Sequence, residues 1–108
     1  MANADDLRDA SPWNPITDAI DLKHLGKLGE ECNELGSAVS RCIIQGVNET
    51  EPVTGKINRE WLEDEIADVE AGIELAKRRF HLDRDRIHRR RIKKMLYLSK
   101  WHAMAGRS

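Results

Sequence analysis

Two apolar stripes with helical spacing, separated by a stretch that breaks helices, constrain this chain more than anything else in it. The first stripe is Leu25, Leu28, Cys32, Leu35, Val39 and Cys42, recurring in steps of three and four residues. The second is Leu62, Ile66, Val69, Ile73, Ala76 and Phe80, with the same stepping. That period places each set on one side of an α-helix packed along a partner. Between them VNETEPVTGKI, residues 47–57, is rich in turn formers. Two helices joined by so short a loop fold back antiparallel. Pro12, Pro15 and Pro52 all fall outside the stripes, so none breaks either helix.

The ends of these helices carry recognisable signals. Thr17 can cap the first helix, which runs to Gln45 and stops at Gly46. Gly26 and Gly29 are places where it can bend. Asn58 can cap the second helix, and Asp83 a third, whose apolar material is Ile87, Ile92, Met95, Leu96, Leu98 and Trp101. The expected organisation is a flexible lead-in over 1–16, a single all-α domain over 17–104 and a flexible tail over 105–108, with fraying expected across AMAGRS. The fold class is all-α: an antiparallel helical hairpin plus a C-terminal helix. A chain of 108 residues has a limited core of its own, so the hairpin is expected to form a four-helix-bundle-like core within an oligomer.

Charge is balanced overall but segregated along the chain. The formal net charge is −1, yet residues 49–74 carry nine acidic against two basic side chains, and residues 84–94, RDRIHRRRIKK, carry seven basic against one acidic. Such blocks can attract each other, bind separate partners or surround one ligand. Cys32 and Cys42 lie about 15 Å apart along one helix. A disulfide needs Cα atoms within about 7 Å, so free, partly buried thiols are expected. With no signal-like segment and no apolar run long enough to cross a bilayer, a cytoplasmic, membrane-free protein is expected.

The acidic residues have a pattern of their own. Glu31 and Glu34 are three apart on the first helix, and Glu65 and Asp68 three apart on the second. Residues equidistant from the loop face each other in a hairpin, which sets Glu34 near Glu65 and Glu31 near Asp68. Four converging carboxylates repel unless a cation compensates them. Magnesium prefers such oxygens and also takes phosphate oxygens, and manganese accepts the same ligands. Glu30, one turn before Glu34, can orient a water or a neighbouring ligand. The competing reading is ordinary: acidic pairs at this spacing are common on solvated helix faces. Against it, each carboxylate abuts its apolar stripe rather than opposing it.

The segments GKLGEECNELGSA and WLEDEIADVEAGI resemble the MazG-like nucleotide pyrophosphohydrolases of the all-α NTP pyrophosphatase superfamily. The family pattern, EExxE followed by ExxD, is matched by Glu30, Glu31 and Glu34 and by Glu65 and Asp68. The resemblance covers about residues 20–100. It implies cleavage of nucleoside triphosphates, deoxynucleotides or noncanonical ones, between the α- and β-phosphates, giving monophosphate and pyrophosphate with Mg2+ as cofactor. It further implies that Glu31, Glu34, Glu65 and Asp68 bind metal, that Glu30 helps hold the attacking water, and that the protein is a homodimer or homotetramer. The lysine–asparagine arrangement with which related members touch phosphate is not cleanly present in HRRRIKK.

Several other residues suit a triphosphate. Lys93 and Lys94, with Arg90 and Arg91 in reserve, can neutralise the departing pyrophosphate, unless they form a solvated basic face. Lys27, one turn before Glu31, can pair with that carboxylate or reach a phosphate. His24 can touch a base or sugar or lie at the surface, and Trp13 and Asn14 can cover a base or plug the bundle end. Trp61, Tyr97 and Trp101 suit core or subunit contacts. The basic run lacks interleaved aromatics and the net charge is near zero, which argues against nucleic acid as a partner. Two alternatives stand beside the hydrolase: a phosphoribosyl-ATP pyrophosphatase, and a non-enzymatic helical module whose charged faces dock onto partners.

Overall fold

A computed structural model describes residues 12–106; the remainder of the expected lead-in and tail lies outside them. The described residues are all-α, with three helices among them: α1 (Ala19–Gln45), α2 (Asn58–Arg79) and α3 (Arg84–Ala105). α1 and α2 form the antiparallel hairpin, and α1 is helical without a break through Gly26 and Gly29.

Asp18, not Thr17, caps α1: its carboxylate accepts from the N–H groups of Ile20 and Asp21 at 2.9 Å each. A carboxylate suits that position better than a hydroxyl, because its charge also meets the positive end of the helix dipole. Gly46 stops the helix as expected, at φ 106°, a backbone region that disfavours a side chain. Asn58 does not cap α2. It is the first helical residue and only 1% exposed, and its Nδ2 donates to Gln45 Oε1 at 3.0 Å and to Gly46 O at 3.1 Å. It therefore ties the start of α2 to the end of α1, and Ile57 takes the cap position without a side-chain bond. At the open end Arg79 reaches Asp18 at 3.2 Å and Asp21 at 2.6 Å, fastening the end of α2 to the start of α1.

The buried side of each helix keeps half of its apolar stripe and elsewhere lies one position before it. Facing inward on α1 are His24, Leu28, Glu31, Leu35, Ala38 and Cys42, all buried or half-buried. On α2 they are Asn58, Leu62, Glu65, Val69, Gly72 and Ala76. Leu28, Leu35, Cys42, Leu62, Val69 and Ala76 belong to both sets. Leu25, Cys32, Val39, Ile66 and Ile73, expected inside, are exposed. Each follows a seam residue by one position, a rotation of 100°. Because the helices run in opposite directions, that rotation carries all five to the same face of the hairpin. The residues preceding the seam, among them Lys27, Glu30, Glu34, Arg41, Asp64 and Asp68, line the opposite face. The hairpin thus has a polar face and an opposite face that is apolar along α1, while along α2 Ile66 and Ile73 alternate with Arg59, Glu63, Glu70 and Lys77.

α3 begins where expected, with Asp83 accepting from Arg86 N–H at 3.0 Å. It is joined to α2 through His81, which sits at φ 50°, and through Glu74, which receives both ends of the Arg84 guanidinium at 2.9 and 3.1 Å. The helix includes Ala103, Met104 and Ala105, where fraying was expected, and buries none of its residues. It does not pack along the hairpin. No helix among the described residues is long and apolar enough to cross a membrane.

Candidate metal centre

The seam brings two carboxylates into the hairpin's interior. Glu31 is 8% and Glu65 9% exposed, and Asp68 stands beside them on the polar face. One oxygen from each of the three lies within 4.8 Å of the others. Glu31 Oε1 receives Lys27 Nζ at 3.0 Å, the pairing preferred from the sequence. Glu31 Oε2 and Glu65 Oε2 are buried without any hydrogen-bond donor. Buried charge normally finds a partner. Two such oxygens together, with a third carboxylate alongside, form an oxygen-only set that matches a hard divalent cation.

Glu34 is placed differently from the other three. It is exposed on the polar face, outside the tight oxygen cluster. It still feels the cluster: the negative charge of Glu31, then partial desolvation, then the charges of Glu65 and Glu30 push its carboxyl above the ordinary range. Glu30 is exposed and shares Lys27 with Glu31, at 3.4 Å. The two carboxylates raise the Lys27 pKa, chiefly through the Glu31 hydrogen bond.

Beyond Lys27, toward the open end, a recess of about 540 Å³ is lined by Leu22, Lys23, His24, Gly72 and Leu75. His24 Nδ1 donates to Ile20 O at 2.9 Å, so the ring is held half-buried at the recess wall. Trp13 and Asn14 are exposed in the segment before α1 and do not line it. Arg90, Arg91, Lys93 and Lys94 are exposed on α3. Arg91 lines a separate recess at the α2–α3 junction, with Lys77, Arg84 and His88. Arg41 and Lys56, which the sequence did not single out, meet Trp61, expected at a core or subunit contact, on the loop side of the carboxylates. The spacing of Arg41 from Glu34, seven residues on one helix face, was the available signal.

Comparison with family models, with curated proteins and with solved structures finds no match to this chain.

Proposed function

We propose that the chain is a metal-dependent, MazG-like nucleotide pyrophosphohydrolase, which cuts nucleoside triphosphates, deoxynucleotides or noncanonical ones, between the α- and β-phosphates. The observation that carries this reading is the pair of buried, donorless oxygens on Glu31 and Glu65 with Asp68 beside them. These three residues would hold Mg2+ or Mn2+, with Glu34 at the edge. The cation would offset their charge and draw electrons from phosphoryl oxygens. Glu34, exposed at the edge of the centre, accepts a proton from the attacking water. The water oxygen bonds to the α-phosphorus, the bond from that phosphorus to the bridging oxygen breaks, and the electron pair leaves on pyrophosphate. Glu30 steadies the water from outside and Lys27 holds Glu31 in place.

A second copy of the chain completes the fold in this reading. The apolar face of one hairpin, Leu25, Cys32, Val39, Ile66 and Ile73, covers that of another, giving four helices around one core. The basic residues of α3 then meet phosphate only through the assembly.

The deciding experiment incubates the protein with Mg2+ and a panel of nucleoside triphosphates and phosphoribosyl-ATP, and resolves the products. Monophosphate plus pyrophosphate is expected, falling more than about 100-fold in E65Q, beyond what losing a mere supporting partner of a ligand does. Orthophosphate as first product, or activity indifferent to E31Q and E65Q, overturns the reading.

A further inference from the structure

The polar face of the hairpin continues past the carboxylates toward the loop, and there its charge changes sign. Arg41 lies seven residues after Glu34 on α1, and Trp61 four residues before Glu65 on α2, so they stand about two turns and about one turn from the acidic centre. The Arg41 guanidinium carbon is 5.3 Å from the centre of the Trp61 ring, and Lys56 Nζ, reaching in from the loop, is 4.3 Å from it. Both are cation–π distances. Lys56 also pairs with Asp64, whereas Arg41 has no ion pair among the described residues.

The same cluster is short of acceptors. Arg41 Nε and Trp61 Nε1 are both buried donors without a partner. Leaving such a donor unmatched costs about 1–3 kcal/mol each. Asp64 answers Lys56, and Glu51 feels the charge of Arg41, but the buried N–H groups of Arg41 and Trp61 stay unanswered and leave a place for one more oxygen acceptor.

We propose that Arg41, Lys56 and Trp61 form an anion subsite for the pyrophosphoryl end of a polyphosphate whose inner phosphate lies at Glu31, Glu65 and Asp68. The orientation of the ligand rests on the hydrolase reading; the subsite itself rests on the unmatched donors and charges. Arg41 presents a planar fork suited to phosphate oxygens, and the indole N–H supplies a neutral donor beside it. With this end of the ligand fixed toward the loop, its nucleoside end points to the opposite side of the carboxylates, where Leu22, Gly72 and Leu75 floor the recess. The hairpin then reads a nucleotide lengthwise: apolar recess, acidic centre, cationic end.

The test uses the full chain and inorganic pyrophosphate, titrated calorimetrically with and without Mg2+ and followed by nitrogen–proton NMR. The indole N–H signal of Trp61, identified by its absence in W61F, is expected to shift on pyrophosphate binding. R41Q and K56Q are expected to weaken pyrophosphate about tenfold, with Mn2+ affinity held within about twofold. A Trp61 signal of the native chain unmoved at saturating pyrophosphate overturns the subsite, whatever the binding variants do. So does an R41Q protein of native helicity that binds pyrophosphate as tightly as its parent. Arg41-dependent pyrophosphate binding without triphosphate hydrolysis leaves the subsite standing and removes the hydrolase. Hydrolysis dependent on Glu65 but indifferent to Arg41 does the reverse.

Discussion

At the scale of single residues, the centre is defined by a mismatch between burial and bonding. Glu65 keeps one oxygen away from both water and donors, an arrangement that destabilises the metal-free chain. Replacing it with glutamine removes the buried charge at constant shape, and exchanging buried ions for neutral groups is often stabilising. Metal-free E65Q should therefore gain about 1 kcal/mol, seen as a melting temperature raised by about 4–8 °C, while Mn2+ no longer raises it further. A lower melting temperature in metal-free E65Q would mean that the oxygens have protein partners. Glu34 gives a second signature. Its folded pKa lies above the unfolded one, so the folded metal-free chain binds more protons, and stability present at low pH is lost as pH rises through that raised value. A cation should cancel this loss, so the stabilisation by Mg2+ in thermal melts should grow with pH from about 4.5 upward. The spacing of Glu31, Glu65 and Asp68 was legible in the sequence because three-residue steps on facing helices leave little choice of side. The outward position of Glu34 was not, since a step of three also rotates a side chain by 60° and only the hairpin's register decides which of the pair turns in.

At the scale of elements, the stripe that looks most like a core supplies only half of the seam. Leu25, Cys32 and Val39 read as interior because hydrophobicity selects the more apolar of two adjacent sides, and both sides keep the same period. The true seam spends Glu31 and Glu65 at inward positions, a choice that only a bound cation or a paired charge makes sensible, so periodicity cannot reveal it. The existence, order and antiparallel pairing of α1 and α2, and the Asp83 cap, were by contrast readable, because breakers and caps act locally. Asn58 looked like a cap for the same local reason, and its true role depends on Gln45 and Gly46 arriving from another helix. N58A should lose about 1–3 kcal/mol in chemical denaturation, more than loss of an exposed cap. The α2–α3 joint turns on Glu74, whose carboxyl is lowered to about 2, first by the Arg84 hydrogen bond against some desolvation, then by Arg78. A lowered folded pKa contributes stability that is present above the unfolded value and lost as pH falls toward the folded one. The joint should therefore hold above about pH 4.5 and loosen between there and about 2, with hydrogen-exchange protection at Arg86–His88, taken relative to the intrinsic rate at each pH, falling over that interval in the native chain. E74Q should show the lower protection throughout the range above it, and protection indifferent to both pH and the substitution would show that contacts other than this clamp seat α3.

At the scale of the molecule, the single chain has more surface than a folded protein of its mass keeps. Its accessible area is 9059 Å², where a 12.4 kDa monomer is expected to show about 6,100 Å². Its radius of gyration is 19.7 Å, against about 13 Å for a compact chain of this length. Among the described residues the buried apolar ones are Ala38, Val69 and Ala76, too few to offset the entropy of ordering three helices. An α3 that does not pack along the hairpin and an outer hairpin face left bare both contribute to this extra surface. On the hairpin Leu25, Cys32, Val39, Ile66 and Ile73 are exposed on one face, with Glu63, Glu70 and Lys77 beside the α2 pair, and α3 displays Tyr97, Trp101 and Met104, where Tyr97 meets Lys93 and Trp101 meets His102 of the same helix. The polar face, with the carboxylates and Arg41, lies on the other side and stays open to a ligand when the apolar face is covered. Sedimentation should therefore find at least a dimer at micromolar concentration, and melting should shift upward with protein concentration because folding and association are linked. Ile66→Lys places a charge at the centre of the apolar face without touching the seam, and should yield a monomer of reduced helicity with the hydrolytic activity lost alongside. A native chain that sediments as a compact monomer, with melting independent of concentration, would show that α3 folds back over its own hairpin instead, and the pairing of two apolar faces would fall.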